Sequence, residues 1–136
     1  MIIHKITDRI KVKIGEITFH LSPLSWDQKQ DIVSDAKLVE GKPTNRNSTY
    51  KCLKYAVKNI EGVTLADGSP YVVQLENNVL SDECVEDLLN LELSNKLIIA
   101  CYSMVQGVPS KIINPVTGQV LEGVEIVHKE SKKKAE

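Results

Sequence analysis

Three thiols, Cys52, Cys84 and Cys101, and three imidazoles, His4, His20 and His128, are the side chains of this 136-residue chain best suited to nucleophilic or metal chemistry. A cysteine nucleophile needs a histidine within hydrogen-bond reach, so His20 with Cys84 or Cys101 is the pairing a thiol enzyme would use. The plainer reading is that His20 lies on the polar face of a strand, opposite in phase to Phe19 and Leu21. The cysteines have neighbours such as Leu53, Val85 and Ala100, which place them in helix interiors as reduced, buried thiols. No histidine stands at metal-ligand spacing from another histidine or a cysteine, so no metal site is expected.

The carboxylate pairs Asp82/Glu83 and Glu86/Asp87 have the residue types for acid–base work or cation binding. Helix-start electrostatics and solvent exposure explain them more simply. The seven glycines are scattered at turns, with no GxGxxG and no GKS or GKT, so no phosphate-binding loop and no nucleotide cofactor are expected. Lys51, Lys54 and Lys58 line one helix face, but 17 basic against 18 acidic residues argue for a solvated face rather than a nucleic-acid surface. Catalytic, cofactor and metal residues are therefore all expected to be absent.

The elements that would position any site read as follows. Ile10, Val12 and Ile14, then Gly15-Glu16, then Ile17, Phe19 and Leu21 alternate as a β-hairpin with a tight turn. Ser25-Trp26-Asp27-Gln28 forms a capping box, which starts a first helix at Trp26 with a stripe of Ile32, Val33, Ala36 and Val39. Trp26 is expected to close the seam between hairpin and helix, with anchoring of a partner as its other role. Glu40–Asn47 reads as an exposed loop broken by Gly41 and Pro43.

A second helix starts at Ser48 or Thr49, carries Leu53, Ala56, Val57 and Ile60 on its inner face, and closes at Gly62. A small hairpin turns at Asp67-Gly68, and Pro70 belongs at a strand start. Ser81 caps a third helix with Val85, Leu88 and Leu89 inward. The fourth helix runs from Ser94 or Asn95 to about Gln106, stopped by Gly107 and Pro109. Its apolar residues cover more than one face, which puts it either centrally in the core or half in an interface. A last hairpin forms around Asn114–Gly118, extended by Val124 and Ile126. The tail from His128, with Lys132-Lys133-Lys134, is expected to be disordered.

These pieces define one α+β domain over residues 1–127: an N-terminal β-hairpin, about four helices and one or two further short hairpins, followed by a polar tail at 128–136. A domain of this length buries roughly two-thirds of its unfolded surface. The longest apolar run, Leu97–Cys101, is far short of the roughly 20 residues that cross a bilayer. MIIHKITDRI lacks the apolar region of a secretory signal, so a cytoplasmic location is expected.

Taken in order, ITFHLSPLSWDQKQDI and LKYAVKNIEGVTLADGSPY followed by LSDECVEDLLN resemble the tail assembly chaperones of long-tailed bacteriophages over roughly Ile17 to Gln106. The resemblance implies a non-enzyme that binds the tape-measure protein, keeps it soluble and helps tail-tube subunits assemble around it. It also implies host-cytoplasmic residence, absence from the mature virion, homo-oligomerisation, and a longer frameshifted form that reaches the tail-tube protein. An A-rich slippery site would suit Lys132-Lys133-Lys134. The candidate partner-binding residues are Ile98, Ile99, Tyr102 and Val105 of the fourth helix, with Trp26. The alternatives are a structural component of the tail or head–tail joint, a thiol enzyme, and a small nucleic-acid-binding regulator.

Overall fold

The computed structural model describes residues 3–34, 38–39, 42–43 and 46–130. The expected hairpin forms from β1 (Arg9–Ile14) and β2 (Ile17–Leu21), in register from Ile10 opposite Leu21 to Ile14 opposite Ile17. Alternation sends Ile10, Val12, Ile14, Phe19 and Leu21 into the core. The hairpin is the centre of a four-stranded antiparallel sheet completed by β5 (Val57–Glu61) on β2 and β8 (Val124–Glu130) on β1.

Helix α1 spans Trp26–Val33, and both hydrogen bonds of the expected capping box are present: Gln28 N–H to Ser25 Oγ at 3.2 Å and Ser25 N–H to Gln28 Oε1 at 3.0 Å. The helix ends midway through the expected stripe, with Ile32 buried and Val33 exposed. Val39 belongs instead to a two-residue strand, β3 (Leu38–Val39), paired with β4 (Lys42–Pro43), and Ala36 lies outside the described residues. Residues 40, 41, 44 and 45 of the expected loop and all of 131–136 also lie outside them, while Lys42–Pro43 form β4 and Arg46 and Asn47 already open the next helix, which corrects the expectation of a loop there. Strand β8 continues through Glu130, taking in the first three residues of the expected polar tail.

The second helix required a larger correction. Helix α2 covers Arg46–Ala56 and then gives way to β5, so Val57 and Ile60 lie in the sheet rather than on a helix face. A β-bulge explains the misreading. Leu21 pairs with Val57 and His20 with Asn59, leaving Lys58 as an extra residue. The bulge shifts the side-chain phase, so Val57 and Ile60, three apart, both turn inward and imitate helical spacing. Gly62 has φ +100, as expected for a left-handed position, but it does not close a helix. A Cβ there would come within 2.7 Å of the Glu16 carbonyl oxygen in the β1–β2 turn.

Beyond β5 the chain follows the expected order. A hairpin turns at Asp67-Gly68, with Thr64 bridged to Pro70. A second, unforeseen hairpin joins β6 (Leu75–Glu76) to β7 (Val79–Leu80) through Asn77 and Asn78, both at positive φ, the geometry of the tight turn that suits twisted strands. Helix α3 (Asp82–Leu89) is capped by Ser81, whose Oγ accepts from Cys84 N–H. Helix α4 (Ser94–Ser103) runs on into a 3₁₀ turn, Met104–Gln106, ended by Gly107. The last hairpin pairs Ile113 with Val120 and delivers the chain to β8.

The helices cover one face of the sheet, and a single core joins sheet residues such as Phe19 and Val124 to Ile32, Leu53, Val85, Leu88, Leu97 and Met104. The opposite sheet face carries half-buried or exposed polar residues, among them Lys11, Lys13, Thr18, His20, Asn59 and Glu61.

Candidate functional site

The side chains with chemical potential are held apart or engaged structurally. His20 projects from the polar face of the sheet and hydrogen-bonds Glu61, which holds the Glu61 carboxyl below its ordinary value. Cys52, Cys84 and Cys101 are free thiols buried in the core on the helical side. Burial raises the Cys52 thiol to about 12 and raises Cys101 well above its ordinary value. The sheet thus separates His20 from the thiols, and a thiol nucleophile with His20 as base is not assembled.

The acidic pairs of α3 act as surface cross-links. Asp82 meets Lys54 at 3.2 Å, Glu86 meets Arg46 at 3.9 Å, and Asp87 accepts from the Tyr71 hydroxyl at 2.7 Å. The expected lysine face is split, with Lys51 and Lys54 on α2 and Lys58 in β5, and all three are tied into the fold: Lys51 pairs with Asp31 at 2.8 Å, Lys54 with Asp82, and Lys58 donates to the Asn78 carbonyl. Among the described residues no cluster of His, Cys, Asp and Glu could hold a metal ion, and no helix is long and apolar enough to cross a membrane.

A concave surface does form beside α4. A groove of about 420 Å³ opens between the last turn of α4 and the final hairpin. One wall is Ile99, Tyr102 and Ser103 of α4, and the other is Val108, Pro109, Ile113 and Pro115, with Lys111 at its margin. The wall is built from a helix that turns its remaining apolar side chains into the core. Leu97, Ala100 and Cys101 are fully buried, which leaves Ile99, half-buried, at the boundary.

The sequence-predicted partner residues divide accordingly. Ile98, 9% exposed, and Tyr102, 6% exposed, belong to the core, which corrects the expectation of surplus free surface at both, although the edge of Tyr102 still reaches the groove. Ile99 lines the groove, and half-buried Val105 packs against the core without joining the wall. Trp26 is 71% exposed, so it does not close the seam between hairpin and helix. The N-terminus of α1 turns it to solvent, while Leu24, 6% exposed, fills the seam position.

The opposite wall was not foreseen. Val108–Pro115 reads as stop signals and a turn in the sequence, and its only hint was apolar Ile113 beside an Asn-Pro turn. A second depression, about 190 Å³, is lined by His4, Pro23, Leu24, Lys29 and Met104 and shares Gly107 and Val108 with the first. Chemically the pair can bury apolar side chains of a ligand between a helix and a hairpin. Among its described lining residues there is no cysteine, aspartate or glutamate.

No family model matches the chain, and neither a curated protein nor a solved structure matches it.

Proposed function

We propose that this chain is a tail assembly chaperone of a long-tailed bacteriophage that binds the tape-measure protein, keeps that helical molecule soluble and promotes assembly of the tail tube around it. The observation that carries the reading is the groove beside the last turn of α4, where Ile99, Tyr102, Val108 and Ile113 supply apolar wall. An amphipathic client helix needs such a groove, because laying its apolar stripe into a concave surface removes that stripe from water.

The order of elements behind the resemblance supports the same reading: a β2 strand, a Pro-Leu-Ser corner and α1, then α2, the Asp67-Gly68 hairpin and α3. In this reading the protein acts in the host cytoplasm as a homo-oligomer, without cofactor or covalent chemistry, and a longer frameshifted form brings in the tail-tube protein. Co-expression with a tape-measure fragment tests it. The fragment should become soluble and co-purify with the chain, and purified virions should lack the chain by mass spectrometry. A fragment equally insoluble with and without the chain, or stoichiometric chain in virions, overturns the reading.

A further inference from the structure

The groove beside α4 and the neighbouring depression share Gly107 and Val108 in their linings, and each carries one lysine. Lys111 lies on the first, and Lys29 and His4 lie on the second. Among the described residues no carboxylate lines either. His4 is engaged by Asp8 at 3.7 Å, whereas neither Lys29 nor Lys111 forms an ion pair among the described residues. A further depression, around the β1–β2 turn, differs in this respect, since Lys13, Glu122 and Glu125 give it both signs.

The two depressions share an edge at Gly107 and Val108. A Cβ placed on Gly107 would meet nothing within 4 Å, so no atom crowds this shared edge on that side. Apolar residues stand on both sides of it: Ile99, Tyr102 and Ile113 in one part, Leu24 and Met104 in the other. Among the described lining residues none belongs to a strand of the three sheets, Ile113 forming only an isolated bridge to Val120. An extended segment laid here would find no such strand edge for its backbone donors and acceptors, whereas a helix satisfies its own.

Resting on the partner-binding reading above, we infer that the joined groove takes an amphipathic helix of a partner protein whose apolar stripe is flanked at both ends by carboxylates, which meet Lys29 and Lys111. The chain's own C-terminal segment, with Lys132-Lys133-Lys134, carries the wrong sign to occupy it. Charges at such a margin set orientation and discrimination more than total affinity, which comes from the buried apolar stripe.

The test uses the full chain and three synthetic helical peptides with one Leu stripe, flanked at both ends by Glu, by Gln or by Lys, with titration calorimetry at low and high salt. The Glu-flanked peptide should bind about tenfold more tightly than the Lys-flanked one at low salt, with the difference shrinking at high salt. Lys29→Glu combined with Lys111→Glu should invert the order, and Lys29→Gln with Lys111→Gln should level it. Equal affinities for the three peptides, an order unchanged by the charge reversal, or no binding of any peptide overturns the inference. Capture of a tape-measure fragment by wild type and charge-reversed chain alike, without peptide discrimination, defeats this inference and leaves the proposed function standing. Failure of wild type to capture the fragment, with peptide discrimination intact, defeats the proposed function instead.

Discussion

The Tyr55 hydroxyl donates to Asp31 Oδ2 at 2.5 Å, tying α2 to α1, and Lys51, one helical turn away from Tyr55, donates to Oδ1 of the same carboxylate at 2.8 Å. The Ser48 hydroxyl adds a third link to the Ile32 carbonyl at 2.8 Å. The two bonds hold the Asp31 carboxyl below its ordinary value, Lys51 contributing more than Tyr55, while the Asp31 bond and burial raise Tyr55 to about 12.

The sign of the pH dependence follows. Asp31 has a depressed folded-state value, so its contribution is fully present above the ordinary 3.8 and is lost as pH falls through the folded value. Asp31→Asn should cost about 1 kcal/mol at neutral pH, a figure that allows for the partial exposure of the carboxylate. The difference from wild type should vanish in strong acid, as read by urea denaturation across pH. Tyr55 behaves in the opposite sense, its contribution lasting below the ordinary 10 and disappearing as pH rises through about 12. Difference absorbance between wild type and Tyr55→Phe should therefore place its ionisation near 12. An ionisation at the ordinary 10 would show that the hydroxyl is free.

The thiols provide a second measurement. With all three cysteines buried and Cys52 raised to about 12 by burial, native protein at neutral pH should resist alkylation, and urea-denatured protein should take three labels by mass spectrometry. One thiol reacting at the rate of a free cysteine in the native state would restore the thiol-enzyme alternative.

Gly62 and Gly68 separate conformational strain from steric collision. Both have positive φ, but a Cβ on Gly68 would meet nothing within 4 Å, whereas one on Gly62 would meet the Glu16 oxygen at 2.7 Å. Gly68→Ala should cost about 1 kcal/mol from backbone strain alone. Gly62→Ala should cost about 3 kcal/mol, because the β1–β2 turn must move as well. Equal losses in thermal denaturation would mean that the turn yields freely.

Local chemistry was legible where one side chain decides one feature. Ser25 and Ser81 announced two helix starts, the alternation from Ile10 to Leu21 announced the hairpin, and Asp67-Gly68 announced a turn. What escaped was set by pairing between distant segments. Val57–Glu61 became a strand because β2 offered it an edge, and its bulge at Lys58 disguised the period. A strand at Val124 and Ile126 was expected, but its pairing with β1 at the edge of the main sheet, with a bulge at Val127, and its run to Glu130 were not. The groove escaped because its walls, Ile99 and Ile113, are brought together only when the last hairpin folds back against α4. The exposure of Trp26 was hidden by its type, since a lone tryptophan more often fills a core.

Ile98 and Ile99, adjacent in sequence, should separate folding from binding. Ile98 is 9% exposed and belongs to the core, so Ile98→Asp places a carboxylate among apolar neighbours and should cost about 3 kcal/mol or more in urea denaturation. Ile99 is half-buried at the groove, where a carboxylate keeps access to water. Ile99→Asp should therefore cost only about 1 kcal/mol while abolishing capture of a helical client, because the new charge lies where the client's apolar stripe must be buried. The pair controls for unfolding: loss of capture in a folded Ile99→Asp chain assigns the groove to the partner, and unchanged capture removes it from consideration. Val105→Asp gives a further contrast, since Val105 packs on the core without lining the groove. It should lower stability and spare capture at temperatures where the variant remains folded.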